Sequence, residues 1–530
     1  QVDPGGLWPG FEPCNSAPPR RPLCPLFVAA VVHPPGLPEP LPMSAPDPRH
    51  LSRLTRRQAL RRVTLGSSAL LFACNRPPKL PVKTAVKPAD TAAALELLRS
   101  NPRPQILSGI ADLVGNGLSH DALRAALVAA WADVDGDVHG GLALHALLAI
   151  ERELAPRRRL IALFRACDHV VAHRDAWKPW PSRTALPGRL LGLSRKDLVK
   201  QTRAAFDRLD GPAARLGVRA LHQRWGQEVV SAELHRMAAR DDGSGGHGSH
   251  GIVAGLDLLR EVNWHAADPV LDQIVDRLQP PGSWQAPPSD AARAAFAAHQ
   301  GLVAEAGEGW QGGIRRLEAS RALRKAVRTD RGDALVLQVR AALNERIHVD
   351  ALWDGLALAA ADMALQDTTP SGPGVHGLLL VAALRQSAAR APTPQARLMA
   401  LLGAAWRLPG HRPPSWTAPR MVAVTTADGA TLVMSSAQGA RAEAIRAAAG
   451  AGGAPSLAVR DGMRELLLRK DAPDPHGLEL TVAATRLASV CAPALQADVL
   501  AAVAAAGLDA KGPDWPGLVE AEQLARRLRG

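Results

Sequence analysis

"HDALRAALVAAWADV", residues 120–134, places Leu123, Leu127 and Trp131 four residues apart, with alanine at most positions between them. Apolar residues repeated at three- and four-residue spacing form one stripe along a helix, and this stripe packs against a core. The stretch contains no glycine or proline that would interrupt a helix. It therefore predicts an amphipathic α-helix.

The same pattern recurs along the chain, in which alanine and leucine dominate and tyrosine is absent. We expect an all-α fold with further helices at residues 142–154, 158–173, 227–240, 268–278, 349–366 and 394–408. The length of 530 residues would allow about two to four ordinary domains. Proline-rich stretches at 279–288 and 409–419 are candidate seams, but neither marks a change in composition. One large helical domain over residues 91–530 is therefore the favoured interpretation.

One segment departs from the helical pattern. "MVAVTTADGATLVMSS", residues 421–436, has two runs rich in β-branched residues on either side of Asp428-Gly429. An Asp-Gly pair between two such runs is typical of a hairpin turn. We expect one small β-hairpin here.

The segment "TRRQALRRVTLGSSALLFAC", residues 55–74, has the form of an export signal. Arg56 and Arg57 lie in a context close to the twin-arginine pattern. The apolar run that follows, residues 63–73, is too short for a permanent membrane span. It ends in Leu-Phe-Ala-Cys, which resembles the site where a bacterial lipoprotein is cut and lipidated on its new terminal cysteine, here Cys74. The alternative interpretation is an arginine-rich amphipathic helix.

These features predict an exported protein, located in the periplasm or cell envelope and attached to the membrane through a lipid anchor. The first methionine is Met43, so residues 1–42 are an upstream or disordered extension, 43–74 the signal and 75–90 a Pro/Lys-rich tether. The twin-arginine export machinery would be one partner. The resemblance to that pathway implies export of a protein that is already folded, often around a metal or cofactor. The signal therefore favours the presence of a bound cofactor.

Charge and cysteine content argue against two other classes of protein. The formal net charge is +13, but the longest basic cluster, residues 157–159, has no aromatic neighbours suited to base stacking, so we expect no nucleic-acid partner. None of the five cysteines forms a CxxC pair, which gives no support to a zinc finger or a thioredoxin-type site. Cys167 and Cys491 could form a disulfide, or could be buried free thiols.

Histidine followed by glycine opens four Ala/Leu-rich helical segments. About 1.5 His-Gly pairs are expected by chance from 17 histidines and 46 glycines, whereas the chain has five. The four segments are "DGDVHGGLALHALLAI" with His139, "GGHGSHGIVAGLDLLRE" with His250, "SGPGVHGLLLVAALRQS" with His376, and "APDPHGLELTVAATRL" with His476.

A histidine in the first helical turn lies at the positive end of the helix dipole, which disfavours the imidazolium form. The neutral imidazole is the form that binds a metal, and the following glycine allows close approach. If the four helices point their N-termini at one cavity, then His139, His250, His376 and His476 form a site for a first-row metal such as iron, copper or zinc. Exposed or helix-capping histidines remain the alternative.

Other histidines are weaker candidates for the same site. They are His145, His247, in the loop before His250, and His265, which follows a tryptophan. His145 lies about 240° around an ideal helix from His139, so only one of these two can point inward. His169 and His173 have the i, i+4 spacing of a metal-binding pair but lack the carboxylate of an HExxH motif. Asp137, Asp242 and Asp474 are candidates to orient the imidazoles.

The order and flanks of the four histidine-led helices resemble the questin oxidase-like family, helical oxygenases associated with aromatic polyketides. The likeness covers about residues 119–495. It rests on "VHGGLALHALLAI", "SHGIVAGLDLLREV", "VHGLLLVAALRQ" and "PHGLELTVAATR". The resemblance implies a non-haem iron held by His139, His250, His376 and His476, which activates dioxygen on a bulky organic substrate. This chain differs in having no Thr or Ser just after the third histidine and no tyrosine.

The leading hypothesis is therefore an exported helical metalloprotein, a non-haem iron oxidoreductase or oxygenase. The alternative is a lipid-anchored helical scaffold or interaction protein without catalysis, since no catalytic triad or phosphate-binding loop is present in the sequence. A third possibility is a periplasmic metal carrier without turnover. Convergence of the four imidazoles would favour the metalloprotein, and scatter over the surface would favour the scaffold.

Overall fold

Helices make up nearly all regular structure in the computed structural model, which confirms the all-α prediction. The structure describes residues 88–135, 138–176, 178–179, 183–240, 246–265, 267–278, 289–367, 371–413, 416, 454–472, 474–506 and 513–528. The described helices belong to one compact unit, Thr84–Gly530. The predicted hairpin at 421–436 and the predicted signal and tether lie outside the described residues, apart from the last three residues of the tether, 88–90.

The first ten helices run from residue 88 to residue 278. They are α1 Pro88–Ser100, α2 Ile106–Gly115, α3 His120–Ala132, α4 Val138–Glu151, α5 Pro156–Ala176, α6 Gly188–Leu191, α7 Arg195–Asp207, α8 Gly211–Ala238, α9 His247–Glu261 and α10 Ala267–Leu278. Two short strands, β1 Val134–Asp135 and β2 Lys178–Pro179, pair antiparallel.

Ten further helices follow. They are α11 Asp290–Glu305, α12 Leu317–Thr329, α13 Gly332–Asn344, α14 Val349–Ala364, α15 Pro373–Arg390, α16 Pro394–Arg407, α17 Ala454–Arg469, α18 His476–Val490, α19 Gln496–Ala506 and α20 Leu518–Arg527. Short 3-10 turns at Arg103–Gln105, Glu308–Gln311, Leu408–His411 and Pro493–Leu495 link some of them. Within the described part of the chain, no helix is both long and apolar enough to cross a membrane.

Ser or Thr side-chain caps define where four of the helices begin. Ser119, Ser194, Ser289 and Thr393 each accept a hydrogen bond from the backbone N–H three residues later, at 3.1–3.2 Å. Such a cap satisfies one of the free N–H groups of the first helical turn. These caps fix the starts of α3, α7, α11 and α16.

The predicted helical stretches all fall on helices, with differences at the ends. The stretch 142–154 belongs to α4, which begins four residues earlier and so includes His139. The stretch 227–240 is the second part of α8, which bends at Gly226, where φ is +76°. Glycine adopts this left-handed conformation without the steric cost that a side chain would add.

Four helices form a closed ring at the centre of the fold. Helix α4 contacts α9, α9 contacts α15, α15 contacts α18, and α18 returns to α4. Outer helices pack around this ring: α5 on α4, α10 on α9, and α14 and α16 on α15. Each ring helix carries a histidine within its first four residues. The ring therefore brings distant parts of the sequence to one place.

Buried ion pairs fix the outer layer to the ring. Asp354 and Asp362 on α14 are almost fully buried. Asp354 accepts hydrogen bonds from Arg315 and Arg385, and Asp362 from Arg324 and Arg328. Because these buried charges are paired and hydrogen-bonded, they are tolerated inside the protein and orient α12 and α15 on α14.

Candidate metal centre

The starts of the four ring helices meet in a cluster of imidazoles. The Nε2 atom of His476 lies 2.9 Å from Nε2 of His376 and 3.1 Å from Nε2 of His247. The ring centroid of His139 lies 4.4 Å from that of His476 and 4.8 Å from that of His247. Candidate ligand atoms of His139, His247 and His476 all lie within 4.8 Å of one another. These three residues are close enough to hold a metal ion.

A carboxylate fixes the orientation of His476. The Nδ1 atom of His476 lies 2.6 Å from Oδ1 of Asp474, which also accepts the backbone N–H of His476 at 3.0 Å. A carboxylate only accepts hydrogen bonds, so the imidazole proton is on Nδ1. The Nε2 atom, which faces His247 and His376, therefore carries a lone pair. Asp474 was one of the three aspartates expected to orient an imidazole.

Glu479 orients His139 in the same way. Its Oε1 atom lies 3.3 Å from Nδ1 of His139, and its side chain is fully buried. Burial alone would raise the pKa of Glu479, but the hydrogen bond from His139 and the nearby His250 and His476 lower it below the usual value. An ionised carboxylate accepts the Nδ1 proton of His139, which leaves Nε2 with its lone pair.

The spacing of the nitrogen atoms fits ligands around a single ion. Two nitrogen ligands about 2.0–2.1 Å from one ion, at ordinary coordination angles, are about 2.9–3.4 Å apart. The two Nε2–Nε2 distances at His476, 2.9 and 3.1 Å, fall in this range. One lone pair on His476 can accept a hydrogen bond from only one of these two neighbours in good geometry. An ion would be a common partner for Nε2 of His476 and of His247, whereas His376 lies outside the group of three histidines that are close enough to hold an ion.

His250 and His376 are neutral near pH 7. Burial, reinforced by His247 and His476, lowers the pKa of His376 to about 3. Burial also lowers the pKa of His250 to about 3, although Glu479 opposes this effect. Neutral imidazole is the form that ligates metals, so the site needs no proton release from His376 to bind an ion at pH 7.

Two of the glycines that follow the histidines, Gly140 and Gly377, make room for other histidines. A Cβ atom at Gly140 would lie 2.4 Å from the ring of His173, and one at Gly377 would lie 3.0 Å from Cβ of His411. The sequence argument expected space beside each helix's own imidazole. The structure instead fills that space with a second layer of histidines behind the cluster. Burial lowers the pKa of His411 to about 4.

The structure separates the predicted histidines into three groups. His139, His376 and His476 meet, and His247 joins them in the position expected for His250. His250 lies on the opposite side of Glu479, with its Nδ1 3.8 Å from Oε2. The reason is helical geometry. Helix α9 begins at His247, so His250 lies almost one turn, about 4.5 Å, further along the helix axis.

The other candidates lie away from the cluster. His145 contacts Asp257 at 3.2 Å, in agreement with the expectation that His139 and His145 cannot point the same way. His265 is exposed beyond the C-terminal end of α9. The rings of His169 and His173 stack 6.5 Å apart, and His169 contacts the carbonyl oxygen of Gly140. Asp137, Asp242, Arg56, Arg57 and Cys74 lie outside the described residues.

Both described cysteines are free and buried. Cys167 lies on α5, and Cys491 follows the last residue of α18. Burial raises the pKa of Cys167 well above its usual value and that of Cys491 to about 12. A thiol that stays protonated is a poor nucleophile and a poor metal ligand, so these two residues are structural.

The sequence argument missed Glu479. It lies one helical turn after His476 and is an acidic residue in an otherwise apolar helix start, "HGLELTVAA". A carboxylate three residues after a helix-opening histidine was the available signal, because both side chains then lie on the same side of the helix. What the sequence could not show is that this side faces His139, which is 340 residues away.

Comparisons with protein-family models, with curated proteins and with solved structures give no match for this chain.

Proposed function

We propose that the chain is a metalloprotein that binds one first-row transition ion through His139, His247, His376 and His476. We further propose that it carries out oxidative chemistry on an organic substrate. The observation that supports the proposal is the pair of Nε2 contacts at His476, together with the two carboxylates that hold the Nδ1 protons of His139 and His476.

The donor set favours iron, copper or zinc among first-row metals, because neutral imidazole suits these ions. Iron is our choice, since the histidine-led helices resemble the questin oxidase-like family. When bound, iron would supply redox chemistry with dioxygen. The residues around it have defined tasks: Asp474 and Glu479 set the direction of two imidazoles, and the buried ring helices limit the access of water.

Two alternatives from the sequence receive less support. In a scaffold without a site, nothing would require histidines from four distant segments to meet at a buried point. A metal carrier without turnover would have the same cluster. It can be distinguished from an oxygenase only by whether the bound metal reacts with dioxygen, and not by the geometry of the site. Export through the twin-arginine pathway and lipidation at Cys74 remain part of the proposal, on the sequence pattern alone.

Metal analysis of the purified protein tests the binding. We expect about one equivalent of a transition metal in the wild type and a strong loss in His376→Ala. His265→Ala is the matched control, because His265 is exposed and lies beyond the C-terminal end of α9, whereas His247 lies at the N-terminal end of that helix. A wild type with clearly less than one equivalent, together with unchanged content in His376→Ala, would refute the proposal.

Exposure of the reduced, metal-loaded protein to dioxygen tests the chemistry. An oxygenase is expected to show a change in its visible absorption spectrum when dioxygen is added. A metal carrier without turnover is expected to keep its spectrum. The second result would leave a metal-binding protein and remove the oxidative function.

A further inference from the structure

His250 and Glu479 form an unusual buried pair next to the metal centre. The Nδ1 atom of His250 lies 3.8 Å from Oε2 of Glu479, too far for a direct hydrogen bond. The two residues are 7% and 2% exposed. Both atoms are buried and have no hydrogen-bond partner among the described residues. Buried polar atoms without a partner are rare, and a bound water is a frequent explanation.

A small cavity lies beside this pair. Both residues line it, together with His145, Gln386 and Arg486 and the apolar side chains of α4, α15 and α18. The space open to the centre of a water molecule is about 10 Å³. That is about the minimum for one water molecule, and the polar lining offers the two to four partners that a buried water needs.

The other polar side chains around the cavity already have partners. His145 contacts Asp257 at 3.2 Å and Arg486 at 3.3 Å. Among the described residues, the group able to hold a metal is the cluster of His139, His247 and His476, which His376 joins through a 2.9 Å contact with His476; His250 is not in it. The unsatisfied atoms at the cavity therefore call for a small hydrogen-bonding molecule and not for a second ion.

We propose that this cavity binds one ordered water molecule, which bridges Nδ1 of His250 and Oε2 of Glu479. A water about 2.8 Å from both atoms would lie within ordinary hydrogen-bond distance of each, with an angle between its two partners of about 85°, narrower than tetrahedral. His250 is then a positioning residue: through the water it fixes the carboxylate whose other oxygen holds His139. This second step rests on the metal-binding function proposed above.

High-resolution crystallography tests the water site directly. The expected result in the wild type is a density peak within about 3.2 Å of both Nδ1 of His250 and Oε2 of Glu479. Ala383→Val adds two methyl groups to a residue that lines the cavity and is expected to remove the peak. Ala389→Val, on the exposed end of the same helix, is the control. An empty cavity in the wild type would overturn the water site.

Two substitutions at His250 test its positioning role, with Co²⁺ as the metal probe. His250→Asn places an amide nitrogen near the position of Nδ1 and keeps a donor, whereas His250→Leu removes it. Because Glu479 itself touches His139, we expect His250→Leu to weaken Co²⁺ binding about tenfold, at the low end of effects seen for groups that orient ligands. His250→Asn is expected to restore most of the loss.

The outcomes separate the two proposals. If the wild type does not bind Co²⁺, the metal-binding function fails, and the crystal structure still decides the water site. If the wild type binds but His250→Leu is unchanged, the positioning role is wrong while the metal site stands. If His250→Leu abolishes binding and His250→Asn does not restore it, His250 is a ligand, and the positioning role is again wrong.

Discussion

Two groups of helix starts in this protein differ in how the first turn is satisfied. In α3, α7, α11 and α16 a Ser or Thr side chain caps the first turn. In α9, α15 and α18 the N-cap residues are Gly246, Gly372 and Pro475, none of which provides a side-chain cap. Carboxylates outside the cap position accept some of the free N–H groups instead: Asp367 accepts from Val375, and Asp474 accepts from His476.

The difference between the two groups of helix starts shows which requirement the residues at each start meet. An ordinary cap contributes about 1 kcal/mol to stability and can be placed wherever a helix begins. At the ring helices that position is occupied by residues that allow a tight entry, such as Gly246 with φ of +95°. The first turn is left to histidine. Starts without a side-chain cap also occur outside the ring, at α12 and α13, so what distinguishes the ring helix starts is the histidine in the first turn.

The largest expected effect is on metal affinity. We expect His476→Ala to weaken binding of Co²⁺ or Fe²⁺ by more than about 100-fold. The Nε2 atom of His476 contacts two neighbouring imidazoles, and removing a ligand should weaken metal binding more than removing a group that orients a ligand. Isothermal titration calorimetry measures the effect. Ser119→Ala, at a capped helix start, should leave affinity unchanged. Equal effects of the two substitutions would remove the distinction between the two kinds of helix start.

A smaller effect is expected at the orienting carboxylate. Asp474→Ala frees the Nδ1 atom of His476 and removes the acceptor of its backbone N–H. We expect metal affinity to fall about 10–100-fold, with the protein still folded. Asp471→Ala, an exposed aspartate three residues earlier, is the control for the loss of charge. A competition titration with a chelator measures the metal affinity of both variants, and an unchanged affinity in Asp474→Ala would show that the carboxylate does not orient the ligand.

The next effect is the pH dependence of the free energy of unfolding, to which two histidines outside the cluster contribute. Burial, reinforced by Arg260 and Arg390, lowers the pKa of His235 to about 3, and burial lowers that of His299 to about 4. Both are neutral in the folded protein and protonate near pH 6.5 when unfolded. The unfolded state therefore binds more protons between these values, and the free energy of unfolding falls as pH is lowered from about 6.5.

Each of these histidines should contribute a slope of about 1.4 kcal/mol per pH unit until its folded pKa is reached. Denaturant titrations of the metal-free protein from pH 7 to pH 4.5 measure the slope. His235→Gln should reduce the slope by about 1.4 kcal/mol per pH unit, the contribution of one histidine. Ser119→Ala should lower stability by the same amount at every pH. A slope unaffected by His235→Gln would show that this residue is protonated in the folded state.

The smallest effect concerns the caps themselves. We expect Ser289→Ala and Thr393→Ala each to lower the free energy of unfolding by about 1 kcal/mol, since each removes one N-cap hydrogen bond. Metal affinity should not change. Ser489→Ala, at an exposed hydroxyl near the end of α18, is the matched control. Loss of metal binding on removal of either cap would mean that the two kinds of helix start are coupled.

Most of the fold was predictable because helical periodicity is local. The stretches at 268–278, 349–366 and 394–408 match α10, α14 and α16 to within two residues. The more polar helix α12 was missed because charged residues make up much of its sequence and its apolar residues are few, although these lie on one face. Arg324 is one of these charged residues, bound to Asp362 of α14.

The site was predictable in part and for a physical reason. The repeated histidine at helix starts identified His139, His376 and His476, and it assigned to His250 the place that His247 occupies. Choosing between His247 and His250 requires the residue at which α9 begins, and helix boundaries are the least certain part of a sequence argument. Glu479 could be assigned only once α18 and α4 were known to be neighbours.

The ring of four helix starts also bears on when the protein becomes functional. Its histidines are spread over most of the domain, and the contact of Glu479 with His139 joins residues 340 apart. Such long-range contacts form late in folding, because the intervening chain must be ordered first. A partly folded chain would therefore offer no complete site, and a metal ion would bind only the finished fold. Bound metal would then mark a molecule that has completed folding, and by mass action it would stabilise that state against unfolding.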